Sequence, residues 1–403
     1  MTRRVAVTGI GCLSALGNSA EAFWTACRTG RSGIGPLESV ETTGVRFTNG
    51  AQARNFQPAD HFDDKQLVPL DRFAAFAIVA ARQALAQSGL SLTAAQKSRA
   101  AIVTGSCYGG KVSEDAGFSS LYRDNQPRVH PMTIPRLMAN AGASALTLEL
   151  GWQGPVWTVS TACSSASHAI GQAYWLVRHG LSDVALAGGS EAPFTYGSLK
   201  AWEALRVVSP DTCRPFSLGR AGMILGEGAG MLVLEPLDHA RARGASILAE
   251  IAGFAMGADA HHITQPSADG AARTIRQALE DAELPPSAIG VVNAHGTGTL
   301  VNDATESSAL HAVFGPHLDK LLVSATKSLH GHALGASGAL EAIACILGLH
   351  HQAAIPTAHF LEPDPDCRVP LCRQFQPWEH EAAISNSFAF GGLNAVLAFR
   401  RAS

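Results

Sequence analysis

The sequence predicts a layered α/β fold built from two similar halves. Short apolar runs alternate with helix-period segments along the whole chain. Glycine makes up 40 of the 403 residues, which suits tight strand-to-helix turns and close helix packing. Two strand-like runs also end alike, each in a reactive cluster that leads into a small-residue helix. They are Val159-Ser160-Thr161-Ala162-Cys163 and Val323-Ser324-Ala325-Thr326-Lys327. This is a weak internal repeat, not a solenoid.

Taken in order, residues 5–8 read as a buried strand ending in a glycine turn. Arg3-Arg4 ahead of it imitates a secretion signal, but Thr8, Gly9, Gly11 and Ser14 interrupt the apolar run. The run is also too short to span a bilayer. A helix is expected over 71–87, where Phe73, Phe76, Ala77, Ala80 and Ala84 form one apolar stripe. Strands follow at 101–104 and 156–160, then a buried helix at 164–177 and strands at 184–187 and 231–234. The second series has a strand at 247–255, a helix at 271–283 and a strand at 289–293. A helix at 304–313, a strand at 321–325 and a helix at 336–350 come next. Strands at 382–387 and 395–400 close the chain. The expected division is 1–240 and 241–403, with no low-complexity linker between the halves, so they are expected to pack as one body.

Composition narrows the function. At 46% hydrophobic the chain supports a large core, and a net charge of −3 argues against nucleic-acid binding. The eight cysteines show no C-x-x-C pair and no regular spacing, which argues against a disulfide framework or a zinc ribbon. The expectation is a soluble cytoplasmic protein with reduced thiols and no membrane span.

Cys163 stands where an apolar strand gives way to a helix. A helix N-terminus lowers a thiol pKa, and small Ala162, Ser164 and Ser165 leave the sulfur accessible. Most buried cysteines are only small hydrophobes, so the case rests on context. His295 follows the strand at 289–293 in a loop with Gly296, Thr297, Gly298 and Thr299. Ends of strands are where α/β folds place reactive groups. His332 precedes an apolar helix. His330 beside it raises the thought of a metal, but no third ligand at zinc spacing accompanies the pair. Lys327 sits at a strand end and, if buried, needs a carboxylate; Glu306 is the expected partner. Gly391-Gly392 after the strand at 382–387 permits close backbone approach to a ligand. A backbone N–H there could pair with that of Cys163 as an oxyanion hole. Gly9-Ile10-Gly11 is not a dinucleotide fingerprint, because Ser14 replaces the third glycine.

Together these motifs resemble the β-ketoacyl-acyl-carrier-protein synthases, closest in pattern to synthase II and the type II polyketide ketosynthases. The resemblance runs from Val5-Ala6-Val7-Thr8-Gly9-Ile10-Gly11 through Gly226-Glu227-Gly228-Ala229-Gly230 to Phe390-Gly391-Gly392. It implies a thiolase-like fold of five α-β-α-β-α layers from two duplicated halves. It also implies an acyl-accepting Cys163 and decarboxylation supported by His295 and His332, with Lys327 and Glu306 ordering the site. Thr297 and Thr299 match threonines that contact the phosphopantetheine arm. Phe390 matches a gating phenylalanine, its N–H the second oxyanion donor. The implied reaction is ping-pong decarboxylative condensation. No cofactor would be bound by the chain itself; phosphopantetheine would arrive on acyl carrier protein.

The implied assembly is a homodimer, or a heterodimer with a chain-length-factor-like paralogue. Such factors lack the cysteine that is present here. Lys65, Arg206, Arg214 and Arg220 are candidates for a basic patch that receives the acidic carrier. The family usually has Gly at Ala389, Thr at Leu393, Pro at Leu300, Asp at Ser217, Phe at Met223 and Thr at His330. Tyr108 falls at a pocket-lining position that is often a smaller aliphatic residue. The departures gather at the entrance and acyl pocket. They suggest a specialised pathway, such as polyene (including aryl polyene) or polyketide assembly, beside fatty-acid synthesis. A thiolase-fold acyltransferase without decarboxylation and a non-catalytic partner subunit are the alternatives.

Overall fold

The computed structural model describes residues 2–402. Its first strand, β1 (Val5–Ser14), runs through Gly9 and Gly11 instead of turning at them. Packing explains the difference. Helix α1 (Arg72–Ser88) lies across this strand. A Cβ at Gly9 would stand 2.0 Å from the Ala84 carbonyl oxygen, and one at Gly11 1.8 Å from that of Ala80. The glycines are therefore a contact surface. Asp71 caps α1 by accepting from the Phe73 N–H at 3.2 Å, and left-handed Gly89 ends it.

The other strands of the main sheet are β2 (Ala100–Gly105), β3 (Val156–Val159), β4 (Val184–Glu191) and β5 (Gly228–Pro236). The second series is β6 (Ala249–Ala258), β7 (Ile289–Asn293), β8 (Leu322–Ser324), β9 (Ala382–Ala389) and β10 (Leu393–Arg400). Among the described residues these ten strands form one sheet, ordered β3-β2-β4-β5-β1-β6-β10-β9-β7-β8. Read outward from the centre, the two halves have the same order. In each, the third strand of the half pairs parallel with the second and the second parallel with the fourth. The fourth then pairs antiparallel with the fifth, and the fifth antiparallel with the first. β1 and β6 join the halves antiparallel, with Val5 opposite Ile251 and Val7 opposite Ala249.

Helices cover the outer face of each half and fill the space between the halves. α1 covers the outer face of the first half. α2 (Ser165–Arg178) lies inside, against β2 and β4. α3 (Ala268–Asp281) and α4 (Leu300–Phe314) cover the outer face of the second half. A single turn, α5 (Lys327–His330), and α6 (Ser337–His351) follow, with α6 against β9 and α2. This is the thiolase-like arrangement that the motifs imply. The segment Leu334–His351 has a mean hydropathy of 1.2, enough for a bilayer, but is 89% buried in the protein. It is a core helix shared by both halves. Several helices have no counterpart among those expected, including Lys111–Tyr122 and Tyr196–Leu205. The first buries no residue, so it has no apolar stripe to betray it.

Candidate active site

Cys163 lies just beyond β3, in a turn that holds Ala162 at a left-handed φ of +49°. A non-glycine residue there is strained by ~1–2 kcal/mol. Local bonds hold the turn: the Thr161 N–H donates to Ser165 Oγ at 2.9 Å, and Ser165 Oγ donates to the Ala162 carbonyl at 2.6 Å. Ser164 Oγ reaches the Leu393 carbonyl at 2.9 Å, joining the turn to the other half. α2 begins only at Ser165, and Cys163 is buried. Burial outweighs nearby Lys327 and pushes the thiol up to about 11. The lowered thiol pKa expected from the helix start is thus corrected: burial raises it instead. The Phe390 backbone N–H acts on the thiol in the opposite, lowering direction.

His295 and His332 come from the ends of β7 and α5, and their rings meet edge to face with centroids 5.6 Å apart. Both rings line one cavity with Cys163, of about 460 Å³. Their partners fix their tautomers. Lys327 Nζ, which can only donate, lies 3.1 Å from His295 Nδ1. The Leu334 N–H donates to His332 Nδ1 at 3.1 Å, and Ser337 Oγ lies 2.9 Å from it. In both rings Nδ1 accepts, so Nε2 carries the hydrogen. Burial, with Lys327 adding to it, holds both imidazoles well below the usual histidine range. They are neutral Nε2–H donors.

Lys327 is fully buried, and its counter-charge is Glu341 of α6, to which Nζ donates. This corrects the expected pairing with Glu306. Nζ also donates to the His295 carbonyl at 2.6 Å. Glu306 serves elsewhere: its carboxylate accepts from the N–H groups of His295 and Gly296, both at 2.8 Å, and from Asn386 Nδ2 at 3.1 Å. It orders the His295 loop, while Glu341 orders Lys327. Burial pushes both carboxyls up to about 7, against these partners. Glu341 was findable: it is the one acid in an otherwise apolar helix, and a buried charge of that kind demands a partner. His330 turns away to Thr326 Oγ1 at 3.1 Å and burial lowers it to about 3. It does not join His332 in a metal site, and no group of three metal-ligating residues occurs among the described residues.

Thr297 and Thr299 line the cavity, their hydroxyls 2.9 Å apart. Ala389, Phe390 and Gly392 form part of its wall, with Gly391 and Gly392 at φ of +82° and +70°. Leu205, Ile263, Leu300 and Val301 give the cavity an apolar, exposed rim. Tyr108 does not line this cavity. It stands behind the wall, half-buried in a cluster with Trp202, Met223, Leu334 and Phe390. Trp202 stacks on Phe390 at 6.3 Å. Of the expected basic patch, Lys65 is exposed and Arg206 stands at the cavity mouth. Arg214 pairs with Asp211 at 2.5 Å. Arg220 is buried between Asp364 and Asp303, so it belongs to the core and not to a docking surface.

The family model for the N-terminal domain of β-ketoacyl synthases matches residues 2–240, and that for the C-terminal domain matches 248–361. Nodulation protein E of Rhizobium sp. (strain N33) is 45% identical over 402 residues, covering 100% of both chains. The 3-oxoacyl-[acyl-carrier-protein] synthase 2 of Staphylococcus aureus (strain COL) is 37% identical over 407 residues, covering 99% of this chain and 98% of the relative. Among solved structures, the ishigamide ketosynthase/chain length factor superposes with a TM-score of 0.95 at 34% identity, over 100% of both chains. Matches across both halves, from family models and full-length relatives alike, show that the chain belongs to the β-ketoacyl synthase family and is an acyl-transferring condensing enzyme.

Proposed function

We propose that Cys163, His295 and His332 carry a decarboxylative condensation between a carrier-bound acyl chain and a malonyl unit. The observation that carries this is the matched tautomers: two neutral imidazoles present Nε2–H donors in the cavity that holds the thiol. Cys163 sulfur attacks the acyl thioester carbonyl, and the pantetheine thiol leaves with the proton that Cys163 gives up. The backbone N–H groups of Cys163 and Phe390 receive the oxyanion. A malonyl thioester then enters. His295 and His332 donate to its thioester carbonyl, the bond to CO2 breaks, and its electron pair forms an enolate held by those two donors. The enolate carbon attacks the acyl-Cys163 carbonyl. A carbon–carbon bond forms, the sulfur leaves as the Cys163 thiolate and takes a proton from water, and the product is a 3-oxoacyl thioester two carbons longer.

Phosphopantetheine on acyl carrier protein would pass Thr297 and Thr299, with Lys65 and Arg206 outside as contacts for the acidic carrier. The chain would act in the cytoplasm, where its eight unpaired cysteines stay reduced. It would act as a homodimer, or with a chain-length-factor-like paralogue.

The aromatic cluster in and behind the cavity wall favours a specialised acyl chain. Trp202 and Phe390 line the cavity with flat aromatic faces and Tyr108 packs behind them; such faces suit a conjugated chain better than a flexible saturated one. The test compares carrier-bound primers of equal length, saturated and polyunsaturated. The expected preference in kcat/KM for the unsaturated primer is roughly threefold to tenfold, reduced in Tyr108→Ile. Equal use of the two primers would remove the case for a polyene or related pathway.

A further inference from the structure

We propose that Glu191 is a positioning residue for the acyl-chain side of the site, fixing the Tyr108 loop against the turn that follows His332. This rests on the view that the aromatic cluster around Tyr108 and Trp202 receives the acyl chain.

Glu191 ends β4 and is completely buried. No cation pairs with it among the described ion pairs. Four donors from two distant segments hold its charge instead. Oε1 accepts from the Tyr108 N–H at 3.1 Å and from Ser106 Oγ at 3.2 Å. Oε2 accepts from the Cys107 N–H at 2.6 Å and from the Gly335 N–H at 3.0 Å. Gly335 directly follows Leu334, whose own N–H fixes the tautomer of His332. One carboxylate thus spans from the loop under the acyl cluster to the His332 turn. The approach is tight: a Cβ at Gly335 would lie 2.4 Å from the Cys107 nitrogen and 2.5 Å from Glu191 Oε2.

Only a carboxylate can accept from all four donors, since an amide has one oxygen. That makes Glu191→Gln selective. The amide keeps its oxygen at the Oε2 position, where two backbone N–H groups, Cys107 and Gly335, have no alternative partner. Its NH2 then takes the Oε1 position, where the Ser106 hydroxyl can rotate to accept. The Tyr108 N–H is left facing a donor. The substitution therefore loosens the acyl loop and leaves the Gly335–His332 side intact.

The experiment measures kcat/KM for acyl-carrier primers over a series of chain lengths in the parent and Glu191→Gln enzymes, and malonyl thioester decarboxylation separately. The expected result is a change of at least about fivefold in the ratio between best and worst primers, mainly through KM. Decarboxylation should stay within about threefold of the parent. Ser106→Ala, which removes one donor and leaves the carboxylate, should shift the ratio in the same direction by less, and it covers the case in which the Gln variant does not fold. An unchanged primer profile in the variants, or a parallel fall of both activities, overturns the proposal. If the parent enzyme shows a profile indifferent to the acyl cluster, as read by Tyr108→Ile, the underlying view of the acyl pocket fails instead.

Discussion

Replacing His332 by alanine is expected to slow malonyl decarboxylation by ~10²–10³-fold, the usual cost of losing one donor to a developing oxyanion. His295→Ala should act similarly. Acyl transfer to Cys163 depends in this scheme on backbone N–H groups, so it should fall by no more than about tenfold. Both rings are buried, neutral and pinned through Nδ1, so the variants remove a donor and not a base. Release of CO2 from a malonyl thioester reads the first quantity. Single-turnover acylation followed by intact mass reads the second. Loss of both steps in parallel would place the histidines in acyl transfer and contradict the division of labour.

Replacing Glu341 by alanine is expected to destabilise the protein by ~3–5 kcal/mol, because it strands the Lys327 ammonium without a counter-charge in the core. Glu306→Gln separates the two acids. It removes acceptors from the His295 loop but leaves the Lys327–Glu341 pair whole, so it should cost only ~1–3 kcal/mol, the price of unsatisfied buried donors. Urea unfolding of the three proteins gives the order directly. A Glu306 variant more damaged than Glu341→Ala would restore Glu306 as the partner of the lysine.

The positions of Cys163, His295 and His332 were legible in the sequence because each follows a strand or turn end rich in small residues. In an α/β fold those ends converge on one face. The repeat was legible only as an outline: the identical strand orders of the two halves depend on pairings that leave no mark on residue identity. Partner choice was the weak point. Glu306 lies nearer to His295 in sequence, whereas Glu341 reaches Lys327 from the buried face of α6. Arg220 looked like surface charge, yet two aspartates from separate segments enclose it. Gly9 and Gly11 read as a turn because nothing local signals that another helix presses on them. Cys163 illustrates a balance of magnitudes. A helix start favours a thiolate, but Cys163 lies ahead of α2 and is buried, and desolvation raises its thiol.

The most direct test of the central claim is intact-mass analysis of the purified protein with an acyl-carrier thioester, followed by malonyl-carrier protein. The expected result is one acyl group on the peptide containing Cys163. Malonyl-carrier protein should then discharge it with release of CO2 and appearance of a 3-oxoacyl thioester two carbons longer. Absence of an adduct on Cys163, or its discharge without CO2 to a free acid or an unextended thioester, would contradict the account.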